Sequence, residues 1–151
     1  MSNRRESREL VLQALYSKEI SDNETAGIFS DWIKPKLETS EEIHFAEKLF
    51  YQTVEHRTEC DSQIIKQLKN YELNRLALID KLILRMAIVE FLHFEDIPVK
   101  VTINEAIDLA KKFSTSKSGN FVNGILDAIS KELKENNKLH KTGRGSIEIS
   151  F

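Results

Sequence analysis

The chain has 151 residues, a length that suits one domain, and such a chain buries enough apolar surface to fold without a metal or disulfide staple. Apolar residues make up 40% and charged residues 30%, the balance of an ordinary globular protein, and the single cysteine, Cys60, excludes an internal disulfide framework and a multi-cysteine zinc site. The net charge of −2 argues mildly against a polyanion partner, yet its distribution points the other way.

Residues 22–61 carry ten acids against four bases. Residues 109–126 carry Lys111, Lys112 and Lys117 with no acid, and residues 131–144 carry five bases against two acids. Arg4, Arg5 and Arg8 stand near the start. An acidic middle with basic ends can bind a polyanion if the bases converge in space. The opening MSNRRESREL lacks the apolar core of a signal peptide, and no apolar run reaches the length of a membrane span. A cytoplasmic location is expected, with no membrane partner.

Two prolines and five glycines favour long helices, and the expected class is all-α with no sheet. A first helix over residues 4–18 places Leu10, Val11, Ala14 and Leu15 on one face. A short helix with Ile28, Phe29, Trp32 and Ile33 stops at Pro35. Thr39 and Glu42 read as a capping box opening a helix with Ile43, Ala46, Leu49, Phe50 and Val54. Another helix is expected over 60–69, with Asn70 and Asn74 bracketing a turn. Residues 75–94 form the most apolar helix, central to the core.

After Pro98, Thr102 and Glu105 read as a second capping box, followed by an amphipathic stripe of Ile103, Ala106, Ile107 and Ala110. A loop over 114–119 leads to a last helix carrying Val122, Ile125, Leu126, Ile129 and Leu133. Gly124 inside that helix costs about 1 kcal/mol relative to alanine, which points to a close neighbour. The domain is expected over 1–136. Residues 137–151 read as a flexible tail, although the last five alternate like a strand.

Catalytic motifs are missing: there is no GxGxxG, P-loop, HExxH or GxSxG. The four histidines show no pair at i, i+3 or i+4, and Cys60 between Glu59 and Asp61 is poorly placed to form a thiolate. No enzyme activity, metal or cofactor is expected. Arg5, Leu12 and Tyr16 fall on nearly one side of the first helix. An arginine fork beside an aromatic suits single-stranded nucleic acid. Spacing alone favours another reading, in which the arginines form a solvated helix end paired with Glu6 and Glu9 and Tyr16 packs on the core. Lys111, Lys112 and Lys117 precede a helix start, which favours anions. Phe121 in its first turn reads either as a stacking ring or as core.

Two segments resemble the NusB family. Residues 4–16, RRESRELVLQALY, are similar to its arginine-rich opening and ALY turn. Residues 99–127, VKVTINEAIDLAKKFSTSKSGNFVNGILD, carry the INEA, LAKKF and FVNG elements in order, and LILRMAIVE at 82–90 is similar to the family's central helix. The resemblance implies two small helical bundles packed together. It implies binding of boxA-containing single-stranded RNA together with the ribosomal small-subunit protein NusE. It also implies membership of an RNA polymerase antitermination complex that acts on ribosomal RNA operons. The RNA surface falls on Arg4, Arg5, Arg8, Tyr16, Lys117 and Phe121, and Asp80 is a candidate NusE contact. The family fold also fronts RNA cytosine methyltransferases, a reading that needs a further domain. The alternative function is a helical protein-interaction module without RNA.

Overall fold

The structure is a computed structural model that describes residues 4–21, 23–69 and 72–146. Every described regular element is helical, and the chain divides into two compact units, Met1–Glu55 and His56–Phe151.

In the first unit, α1 (Arg4–Ile20) packs on α3 (Ser40–Glu55). The apolar face of α1 buries Leu10, Val11, Leu12, Ala14 and Leu15, and that of α3 buries Phe45, Ala46, Leu49 and Phe50. Ser7 is buried between these rows and donates to the Glu42 carbonyl at 3.3 Å. The Thr39–Glu42 box forms as expected. Glu42 N–H donates to Thr39 Oγ1 at 3.1 Å, and Thr39 N–H to Glu42 Oε1 at 3.1 Å. The short helix before it changes character along its length, from α2 (Thr25–Ile28) to a π-helical stretch Phe29–Ile33 and a 3-10 turn Lys34–Lys36. Ile28, Phe29 and Ile33 are buried. Trp32 stays exposed, with Lys36 Nζ 3.5 Å above its ring.

The second unit is built from α4 (Arg57–Gln67), α5 (Leu78–His93), α6 (Val99–Phe113) and α7 (Ser118–Glu135). Each of α4, α6 and α7 packs on α5, and α6 and α7 pack on each other. Helix α5 is central as expected, since every residue from Leu82 to Phe91 is buried. Two of these are ionic, and each has a matched partner. Arg85 forms a fork with Asp61 (2.7 Å and 3.1 Å), and Glu90 Oε1 accepts from Thr102 Oγ1 at 2.9 Å.

That last bond explains a correction. Thr102 is not a cap: α6 starts a turn earlier, with Pro98 at its N-cap, and the Thr102 hydroxyl serves the buried Glu90 carboxylate. The buried stripe of α6 is accordingly Thr102, Ala106, Leu109 and Ala110, rotated from the expected one. Gly124 is exposed, and a methyl group there would meet nothing within 4 Å, so no close neighbour accounts for it.

Helix α7 ends in a Schellman motif. Asn137 takes a left-handed φ of 56°, its N–H reaches the Lys134 carbonyl at 3.1 Å, and the Lys138 N–H reaches the Leu133 carbonyl at 2.8 Å. Beyond it, Lys141 Nζ donates to the carbonyls of Glu90 (2.9 Å) and Phe94 (2.8 Å) at the end of α5. Thr142 N–H bonds the Glu95 carbonyl at 3.1 Å, and Gly145 lies so close to that carbonyl that a Cβ would collide with it. The strand-like alternation at 147–151, like Asn70 of the expected turn, lies outside the described residues. No described helix is long and apolar enough to cross a membrane.

Candidate nucleic-acid interface

The residues expected to meet RNA fall into two groups, one in each unit. In the first unit, Arg4 and Arg8 are one helical turn apart and both lie over the Phe45 ring. Their guanidinium carbons are 4.7 Å and 5.1 Å from its centroid. This is the cation–π arrangement that arginine's flat, weakly hydrated head favours. The two differ in access. Arg4 keeps 34% of its side chain exposed and reaches Glu41 Oε1 at 3.9 Å, whereas Arg8 is 4% exposed. Arg5 is exposed. Tyr16 is 39% exposed, which removes the core reading of that ring.

Arg5 and Tyr16 do share a helix side, but Leu12 between them is 1% exposed. Eleven residues of helix also separate the two by about 16 Å along the axis. Arg5 and Tyr16 are therefore two separate outward positions on α1. Phe45, which underlies the arginine pair, was not singled out from the sequence. A phenylalanine on a predicted helix reads as core until its neighbour across the bundle is known.

In the second unit, Lys117 is exposed at the N-cap of α7 and Phe121 is half-buried one turn on. Lys111 and Lys112 are exposed at the end of α6, with Lys112 Nζ 5.4 Å from the Phe113 ring. The loop between these helices is held by hydroxyls. Ser118 Oγ donates to Asp80 Oδ2 at 3.0 Å. A hydroxyl has one proton to give, so Ser118 Oγ accepts from Ser114 (3.0 Å) and Thr115 (3.1 Å). Asp80 is 8% exposed, and its Oδ1 has no hydrogen-bond partner among the described residues. Ser118 was missed by sequence reasoning. The available signal was an acid, Asp80, inside an apolar helix, paired with a run of hydroxyls at 114–118.

The arrangement offers basic and aromatic side chains from helix ends, on supports that are themselves fixed. Nothing in either group resembles acid–base or nucleophilic machinery. The one thiol, Cys60, is buried and donates toward the Arg85 carbonyl at 3.6 Å. Burial, helped by the adjacent Glu59 and Asp61, pushes its pKa up to about 12.

Comparison with known proteins agrees with the sequence resemblance. The model of the NusB family matches residues 5–131. The chain is similar to the transcription antitermination protein NusB of Salinibacter ruber, with 43% identity over 148 residues, 97% of this chain and 92% of the relative. Among solved structures it is similar to NusB of T. maritima, at 35% identity and a TM-score of 0.78, covering 91% of this chain and 99% of that one. It is also similar to a chain in the crystal structure of the antitermination factors NusB and NusE in complex with dsRNA. There the identity is 28% and the TM-score 0.78, over 85% of this chain and 96% of that one.

Proposed function

The chain belongs to the NusB family, and from that premise we propose that it is a transcription antitermination factor. It binds boxA-containing single-stranded RNA together with NusE and joins an RNA polymerase antitermination complex on ribosomal RNA operons. It acts by binding, without catalysis, in the cytoplasm. The observation that carries this reading is the match over residues 5–131, which spans both groups of basic and aromatic residues apart from Arg4. The similarity to a chain solved in a complex of NusB and NusE with dsRNA supports NusE and RNA as the classes of partner.

The roles divide by exposure. Arg4, Arg5 and Lys117 neutralise phosphates, Tyr16 and Phe121 stack on bases, and Arg8 fixes Arg4 from beneath through the shared Phe45 ring. NusE contacts the region around Asp80, with that carboxylate setting the loop it holds. The test is fluorescence anisotropy of a boxA-like RNA and a scrambled control, with and without NusE. Tighter binding of the boxA-like RNA, strengthened by NusE, is the expected result. Equal, salt-insensitive or absent binding of both RNAs rejects the proposal.

A further inference from the structure

Histidines 44, 56, 93 and 140 form no helical pair in the sequence, but the fold of the second unit brings two of them together. His56 is the N-cap of α4, Glu59 lies in the first turn of that helix, and His93 is the last residue of α5. The two imidazole rings stack with centroids 4.2 Å apart and planes inclined by 19°. Glu59 divides its carboxylate between them. Its Oε2 is 3.8 Å from His56 Nδ1, and its Oε1 is 3.9 Å from His93 Nε2. One donor atom from each of the three residues lies within 4.8 Å of the other two.

We propose that His56, Glu59 and His93 form a binding site for a divalent transition-metal ion, zinc foremost. Two imidazoles and a carboxylate are the donor set of Zn2+ and its neighbours. Mg2+ and Ca2+ prefer oxygen alone. Separations of 3.8 Å and 3.9 Å are too long for hydrogen bonds. Two ligands of one tetrahedral ion, each bonded at about 2.0–2.1 Å, stand about 3.4 Å apart, so each pair has to close by roughly half an ångström and the stacked rings have to turn until their in-plane lone pairs converge. A pair at the 4.8 Å limit has to close by about 1.4 Å. The side chains of His56, Glu59 and His93 are 25%, 48% and 30% exposed, which leaves them room to turn, and the buried His93 Nε2 becomes accessible to an ion when its ring turns out of the stack. Three protein ligands leave the fourth tetrahedral position to water. The ion would tie the start of α4 to the end of α5, 37 residues apart in the chain. The competing account is a plain histidine–glutamate ion pair with no ion.

The test uses the full, untagged chain, stripped with EDTA and dialysed, then titrated with zinc chloride by calorimetry. One zinc per chain is expected, with a rise in thermal midpoint that EDTA reverses and that magnesium chloride does not reproduce. Cobalt chloride should give the visible bands of a four-coordinate ion on the intact chain. Loss of even an outer-shell partner weakens a metal site by about 10–100-fold, so His56→Ala, Glu59→Gln and His93→Ala should each lose at least that much. His44→Ala and His140→Ala should bind as before. Circular dichroism confirms that each variant is folded. If the intact chain takes up no stoichiometric zinc, or if binding survives all three ligand substitutions, the site is the ion pair alone and the proposal is overturned.

Discussion

Ser118 Oγ and Asp80 Oδ2 are joined by a 3.0 Å hydrogen bond that fixes the first turn of α7 to the first turn of α5. The carboxylate is buried and its other oxygen has no described partner, so this bond carries most of its compensation. Ser118→Ala should destabilise the chain by about 1–3 kcal/mol, the cost of a buried group left unsatisfied. Asp80→Ala in the Ser118→Ala background should then cost far less than it does alone. Urea denaturation of the two single variants and the double variant measures the coupling, and additive effects would show that the bond contributes nothing.

Cys60 leads to a second expectation. With its pKa near 12 and full burial, the thiol should not react with a thiol-specific disulfide reagent at pH 8 until the chain unfolds. The linkage has a definite sign. A folded pKa above the unfolded value of 9.0 stabilises the fold below pH 9, and that contribution is lost as pH rises toward 12. Rapid labelling of the native chain would contradict the burial.

Lys141 titrates with the opposite consequence. Burial lowers its pKa from 10.5 to about 8, against the raising effect of Glu90, Asp96 and Glu95. Below pH 8 the amine is charged whether or not it is docked, so docking does not change with pH there. Between 8 and 10.5 the undocked chain holds more protons, so docking of residues 138–146 should strengthen as pH rises. Hydrogen exchange of the Thr142 amide, corrected for the intrinsic rate, reads this directly. Lys141→Met should remove the dependence.

How far the sequence could be read depended on whether the signal was local. The Thr39–Glu42 box and the apolar girth of α5 were legible, because three-residue reciprocity and a run of buried positions are written in consecutive residues. Thr102 and Glu105 carried the same local pattern and misled. Which acid a threonine serves was settled by Glu90, on another helix. Arg8 shows the same limit within the candidate interface. Its spacing from Arg4 puts both on one face, and both lie over Phe45 of α3, yet one is covered and the other is open, a difference that spacing along one helix does not carry. The His56–His93 stack was invisible for the same reason.

The difference between Arg4 and Arg8 can be measured. Each phosphate neutralised on a single strand contributes about 0.7 to the slope of log K against log salt. Replacing Arg4 and Arg5 with alanine should flatten that slope by about 1.4 and weaken boxA-like and scrambled RNA alike, since phosphate contacts carry little base information. Arg8→Ala should lower the thermal midpoint as well, because it uncovers the Phe45 ring. An unchanged slope in the Arg4/Arg5 double variant would move the phosphate site elsewhere.

Tyr16 and Phe121 call for the same paired measurement but different results. Tyr16 is 39% exposed and Phe121 is half-buried at the first turn of α7. A ring that stacks on a base contributes about 1–3 kcal/mol, so its loss should weaken RNA binding by roughly 5- to 150-fold. A ring that fills a core costs about 3–5 kcal/mol of folding stability when truncated. Tyr16→Ala should therefore lower affinity and leave the thermal midpoint nearly unchanged. Phe121→Ala should do both, because part of its ring is already packed and only the remainder can meet a base. Tyr16→Phe separates the ring from its hydroxyl and should keep most of the affinity, since stacking needs only the π-face. If Tyr16→Ala binds RNA as the intact chain does, α1 contributes charge without a stacking platform. If Phe121→Ala loses stability while its folded fraction binds RNA normally, that ring belongs to the core of the second unit alone.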